Sequence, residues 1–190
     1  MATAKKTTTS RKKKTKLVKY DLACGQNRQE GFTGIDVIAG PGVDIVHDLV
    51  NDRPWPIASD SADEIFCSHF VEHLYDLCSF MDECWRILKD GGTMILVHPY
   101  QTSTRAWQDP THVRAINEVT WYYFSKEWRE LQKLDHYPLK CDFEVDTISA
   151  AYNEPWNLKS EESRQFAMAH YWNVISDLTV ILKAKKETGT

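Results

Sequence analysis

The chain has 190 residues, a length that suits one domain with a sizeable core, and its 42% hydrophobic and 12% aromatic content is that of a folded globular protein. The net charge of −4 conceals an asymmetry: residues 1–20 hold eight Lys or Arg and no acid, which leaves 15 basic against 27 acidic residues in the rest. A body that acidic argues against long nucleic acid as a partner, because phosphate binding is driven by clustered Lys and Arg.

Residues 1–15 are Thr, Ser and Lys-rich and of low complexity, so they read as a disordered basic tail ahead of a single domain over 16–190. Lys16–Cys24 is predicted as a buried strand ending at Gly25, Gly34–Val37 as a second, Val43–His47 as a third and Glu64–Ser68 as a fourth. Short apolar runs between turn signals are typical of a parallel sheet covered on both faces. Asp76–Lys89 has helical spacing, with Leu77, Phe80, Met81, Cys84, Ile87 and Leu88 on one face, and Asp90-Gly91-Gly92 is expected to stop the helix with a left-handed glycine cap. Thr93–Val97 follows as a fifth strand. Residues 98–140 are rich in His, Trp, Tyr, Arg and Asp and weak in periodicity, which marks a functional segment rather than a simple connection. Lys140–Tyr152, a helix over Glu161–Trp172 and a strand over Ser176–Ala184 complete an α/β, doubly wound pattern. Five cysteines without Cys-x-x-Cys spacing fit a reducing compartment. The absence of a signal-peptide core and of any run near the ~18 apolar residues of a membrane helix leads to an expected cytoplasmic protein with no membrane partner. Nothing in the patterning specifies an oligomer.

In open α/β sheets ligands bind beyond the carboxyl ends of the strands, where the strand order reverses. The segment Tyr20–Asn27 lies at such a point, and Gly25 lets backbone approach a ligand closely. Asp36, eleven residues later, ends the second strand, where a carboxylate can accept both hydroxyl protons of a ribose. Asp48 ends the third, where it can take the exocyclic amine of adenine while Leu49 packs on the ring; Asp63–His69 completes the floor. This series resembles the class I S-adenosylmethionine-dependent methyltransferases, through Asp21–Gly25, Ile35-Asp36-Val37, His47-Asp48-Leu49, Asp63–His69, Val71-Glu72-His73 and Arg86–Gly92. The resemblance implies a Rossmann-like, mostly parallel seven-stranded sheet with an antiparallel last strand, S-adenosylmethionine as cofactor, and cofactor contacts at Ala23, Gly25, Asp36, Asp48, Leu49, Ser68 and His69. Ala23 stands where the family often has glycine, Asn27 replaces the last glycine of its loop, and the short gap to Asp36 leaves little room for the usual first helix, so a connection without a full helix is expected.

Two further motifs bear on chemistry. His69-Phe70-Val71-Glu72-His73 matches the His-x-x-Glu-His signature of inverted zinc peptidases, which needs both histidines on one helix face. With His69 at a strand end the rings are expected to diverge, so no metal is expected, and a zinc hydrolase using His69, Glu72 and His73 stays as an alternative. Some methyltransferases of quinone biosynthesis and of small-RNA ends carry Glu-x-x-Glu-His here and bind magnesium; this chain has His69 in place of the first Glu, and magnesium prefers oxygen ligands. Beyond the fifth strand, Asp109-Pro110-Thr111-His112-Val113-Arg114 resembles an insert of phage-encoded and bacterial surface-sugar methyltransferases. His112 is a candidate base, Asp109 its orienting partner, and Arg105 or Arg114 a grip for a carboxylate or phosphate. Trp107, Trp121, Tyr122 and Tyr123 are candidates for walling a flat acceptor. A satisfied structural histidine and a capping Asp109 are equally open. The expected function is methyl transfer to an oxygen or nitrogen of a small polar acceptor (a sugar, nucleotide or modified base), with a non-catalytic cofactor-binding module as the other alternative.

Overall fold

The computed structural model describes residues 16–186, and the 1–15 tail lies outside them. Seven strands form one sheet: β1 (Lys19–Leu22), β2 (Thr33–Asp36), β3 (Ile45–Val46), β4 (Ala62–Ser68), β5 (Leu88–Pro99), β6 (Phe143–Tyr152) and β7 (Ile175–Ala184). Their order is β3-β2-β1-β4-β5-β7-β6. β1 to β5 pair in parallel, and β7 runs antiparallel to both β5 and β6. This is the expected Rossmann-like sheet with its antiparallel last strand. From β1 the chain moves outward to β3 and then returns to the other side of β1 as β4. The strand order therefore reverses between β1 and β4, and their carboxyl ends splay open there.

The four helices are α1 (Leu77–Ile87), α2 (Arg105–Gln108), α3 (Lys126–Leu131) and α4 (Glu161–His170). Leu77, Phe80, Met81, Cys84 and Ile87 of α1 are all buried, as its 3.6-residue spacing requires. Asp76 caps the helix by accepting the Ser79 N–H at 2.9 Å. Among the described residues, the connections β1–β2, β2–β3 and β3–β4 contain no helix, so the missing first helix is borne out. The consequence shows in the strands. Buried and half-buried residues alternate along β4, β5 and β7, so one sheet face is sealed and the other only partly covered, where unbroken apolar runs implied two sealed faces.

Two local features correct the sequence. Asp90-Gly91-Gly92 does not cap α1: the helix ends at Ile87, Leu88 is already extended, and Gly91 with φ of +69° turns a bulge between the Ala62–Leu88 and Glu64–Thr93 pairs. Pairing with β4 outcompetes another helical turn. On β2, a methyl group at Gly34 would lie 2.1 Å from the Gly42 carbonyl oxygen. That close approach lets Asp44 accept the Gly34 N–H at 2.8 Å while it pairs with Arg28. The β1–β2 loop is thus tied to the next loop without a helix.

Candidate active site

The carboxyl ends of β1 and β4 flank a pocket of about 290 Å³ between Asp21, Ala23 and Asn27 on one side and Phe66 and Ser68 on the other. Ala23 and Gly25 both hold left-handed backbone, with φ of +54° and +52°. Glycine is favoured there, so Ala23 carries the strain that the usual glycine avoids. This turn points the Gly25 N–H at Asp36 Oδ2, 2.9 Å away, while Oδ1 accepts from Ile38 N–H at 3.1 Å. The structure therefore joins Gly25 to Asp36, and each carboxylate oxygen keeps a lone pair for a further donor.

Asp21 was not among the sequence candidates, although it lies in the matching motif. It is 2% exposed, lines the pocket, and accepts the Gln29 N–H at 2.7 Å. Burial pushes its carboxyl above the ordinary aspartate value, with the Gln29 hydrogen bond and Arg28 acting against that. An acid inside a buried strand, four residues before a glycine turn, was the available signal.

Asp48 and Leu49 follow β3, and both also have partners within the protein. Asp48 accepts from the Val50 and Asn51 backbone N–H groups and from the Asn51 side chain, which holds its carboxyl below the usual range. Leu49 is 3% exposed, and its carbonyl receives the Trp55 indole at 3.3 Å. Both residues shape the β3–β4 loop, because an aspartate beside free N–H groups forms its own turn.

Three of the histidines that follow β4 and β5 gather around Glu72. His69 closes β4 with φ of +52°, and its Nδ1 lies 3.4 Å from Glu72 Oε1, while its Nε2 is 3.9 Å from Asp177. His112 Nε2 approaches the same Glu72 oxygen at 3.9 Å. Its Nδ1 faces the Ala106 carbonyl at 3.1 Å, and its ring stands 4.6 Å from that of His73. Asp109 reaches His112 Nε2 only at 3.9 Å and instead accepts from the Thr111 hydroxyl at 2.7 Å, which holds its carboxyl low.

Arg114 is removed from acceptor binding. Its guanidinium donates to the Leu74 carbonyl at 3.0 Å and to the Tyr75 carbonyl at 2.8 Å, so it anchors the 98–116 segment to the turn before α1. Arg105 pairs with Asp177 at 3.3 Å. The proposed aromatic wall also divides. Trp121 is fully buried and donates its indole N–H to His98 Nε2 at 3.1 Å, and Tyr123 packs on Trp128 and Tyr137. Trp107 stays exposed at the rim. The sequence missed exposed Tyr171 and Trp172 after α4, which Asn173 joins to the rim through Thr104 N–H and the Thr102 carbonyl. The β6–β7 connection reaches that rim only because β7 turns antiparallel.

Residues 13–96 match the family model for a methyltransferase domain. A Mycolicibacterium smegmatis protein named "Probable S-adenosylmethionine-dependent methyltransferase" is 33% identical over 81 residues, which are 40% of this chain and 31% of that protein. The chain thus matches about a third of the length of this curated relative. Among solved structures, an S-adenosylmethionine-dependent methyltransferase from Archaeoglobus fulgidus superposes with a TM-score of 0.57 at 20% identity, over 88% of this chain and 86% of the other. A chain from the complex between the Haloferax volcanii Trm112 methyltransferase activator and a methyltransferase gives 0.55 at 15% identity, over 90% and 84%. Residues 13–96 thus resemble a methyltransferase domain, and the described residues share the fold of solved S-adenosylmethionine-dependent methyltransferases.

Proposed function

We propose that the chain transfers a methyl group from S-adenosylmethionine to an oxygen or nitrogen of a small polar acceptor. The observation that carries this reading is the Gly25–Asp36 contact beside buried Asp21, at the point where the strand order reverses. The donor set fits the cofactor. Asp36, already fixed by Gly25, has lone pairs left for the two ribose hydroxyls, and Asp21 offers a buried negative charge to an ammonium group. Bound there, S-adenosylmethionine supplies an electrophilic methyl carbon on a positively charged sulfur. An acceptor lone pair forms the new bond to that carbon while the carbon–sulfur pair returns to sulfur.

The chain's own work is binding and alignment, which can supply most of such a reaction. Asp36 and Asp21 hold the two ends of the cofactor. The His69, Glu72 and His112 cluster stands on the acceptor side at the ends of β4 and β5, with Asp109 ordering its loop through Thr111. Exposed Trp107, Tyr171 and Trp172 suit a flat or ring-shaped acceptor. Among the described residues no helix is long and apolar enough to cross a membrane.

The test is calorimetry of the full chain with S-adenosylmethionine, followed by transfer of labelled methyl into a metabolite pool. Saturable binding and a labelled small product support the reading. No heat at millimolar cofactor overturns it.

A further inference from the structure

Among the described residues, Thr102, Arg164 and Asp177 each have one buried side-chain atom without a hydrogen bond, and Glu72 has two. Its side chain is 3% exposed, and neither carboxylate oxygen has a hydrogen-bond partner. Burying a carboxylate without donors costs several kcal/mol, so such groups are normally paired or bound to a metal. Potential ligand atoms of Glu72, His73 and His112 all lie within 4.8 Å of one another.

Each imidazole has one ring nitrogen engaged within the protein and the other available as a ligand atom. The Ala106 carbonyl can only accept, so His112 Nδ1 carries the proton there, and Nε2 is left with a bare lone pair toward Glu72. The Thr111 hydroxyl donates to Asp109 at 2.7 Å, so its oxygen receives the His73 Nδ1 proton at 2.9 Å. His73 Nε2 is likewise left bare. A histidine whose other ring N–H is held by a carbonyl or a carboxylate-backed hydroxyl is the usual arrangement around a bound metal. From these observations we propose that Glu72, His73 and His112 bind one divalent transition metal ion of the zinc class. Two imidazoles and one carboxylate suit zinc, cobalt or manganese better than magnesium, which keeps oxygen ligands.

The constellation differs from the one that the His-x-x-Glu-His spacing suggested. His69 is outside the trio, and the third ligand comes from a loop forty residues downstream, where no spacing rule looks. The expectation of no metal rested on the divergence of His69 and His73 and did not consider His112. The site stands on its own geometry. Its use rests on the methyl-transfer reading: three protein ligands leave open positions, and an acceptor hydroxyl bound there loses its proton to water more readily before attacking the methyl carbon.

The experiment is metal titration of chelator-stripped full-length protein, by calorimetry with zinc and by visible absorption with cobalt. One equivalent of each should bind, with magnesium at least a hundredfold weaker. His73→Ala and His112→Ala should weaken zinc at least tenfold, and Thr111→Val, which removes the hydroxyl that holds His73 and its bond to Asp109, about tenfold. Glu72→Gln is isosteric and guards against simple unfolding; it should also weaken zinc at least tenfold. No saturable uptake, or uptake unchanged in these variants, overturns the site. Zinc bound without cofactor heat supports the metal site while overturning the reading above, and cofactor heat without zinc overturns the metal site alone.

Discussion

The two ends of the sheet are built on opposite principles. At the amino end of the strands lies the larger cavity, about 880 Å³, against 290 Å³ for the pocket at the carboxyl end. Yet several of its charged groups are paired. Arg86 binds both oxygens of Glu83 at 2.8 Å and donates to the Ile57 and Trp55 carbonyls; Lys89 meets Asp63 at 2.6 Å; Lys186 meets Asp60 at 3.0 Å and lies over the Trp85 ring. The carboxyl end is smaller and unfinished. It holds left-handed Ala23 and His69, the desolvated Asp21, and Glu72 without a donor. Cavity size alone would choose the wrong end. Left-handed backbone occurs at both ends, since Asp60 at the larger cavity has φ of +53°; the desolvated Asp21 and the unbonded Glu72 carboxylate favour the other end, because a buried polar group without a partner calls for an explanation.

The comparison can be broken by mutation. The largest effect belongs to the paired end. Arg86→Ala should destabilise the protein by about 2–3 kcal/mol, since one partly buried guanidinium joins α1 to the 55–59 loop. Thermal melting should fall by roughly 4–12 °C. Cofactor affinity, measured well below the new midpoint, should not change. A large affinity loss would show that the two ends are coupled.

At the unfinished end the effects should invert. Asp36→Ala should weaken S-adenosylmethionine about tenfold or more, for the loss of on the order of 1–3 kcal/mol of hydrogen bonding, with a smaller change in melting than Arg86→Ala. Calorimetry and thermal shift on the same samples read both quantities. Equal affinity in the variant would remove Asp36 from the cofactor site.

His98 tests a group at the carboxyl end that is buried but satisfied. It is fully buried; Trp121 can only donate to its Nε2, and Nδ1 faces the Pro99 carbonyl at 3.0 Å, so the ring is neutral. Burial holds its pKa below the ordinary histidine value. The unfolded chain therefore takes up a proton first as pH falls. Stability should be full above the ordinary value of about 6.5 and decline from there toward the lower folded value. Melting curves across that window should show the decline, and His98→Gln should flatten it. A slope unchanged in the variant would assign the titration elsewhere.

The smallest effect is the most telling in sign. In metal-stripped protein, Glu72→Gln should leave melting unchanged or raise it by up to about 1 kcal/mol of stability, because it replaces a buried carboxylate that has no hydrogen-bond donor while keeping the shape. Every comparable change at the amino end should destabilise. A marked fall in melting for Glu72→Gln would mean that the charge is paired within the protein.

Much of the first half was legible in the sequence, for a local reason. Strand-length apolar runs set β1, β2, β4 and β5, and α1 follows from a 3.6-residue period that its buried face repeats residue for residue. The Gly25–Asp36 contact was legible because both residues sit where parallel strands end side by side. The turn that Asp48 builds with Val50 and Asn51 was not legible, since an aspartate at a strand end looks the same whether it meets a ligand or its own turn. The end of α1 was also misread: Gly91 permits a left-handed cap, but pairing of Leu88 with Ala62 decides otherwise.

What the sequence by itself determined was therefore the periodicity of the elements and the acids at their ends, because both depend on neighbours within a few residues. Only the tertiary structure decided which side chains from distant segments meet. It brought His112 to Glu72 and His73, spent Arg114 on two backbone carbonyls, buried Trp121 against His98, and carried Tyr171 and Trp172 to the rim beside Trp107. Those outcomes depend on how the crossover after β5 folds back and on the antiparallel turn of β7. Neither is set by local propensity; both follow from closing the sheet and burying its sealed face.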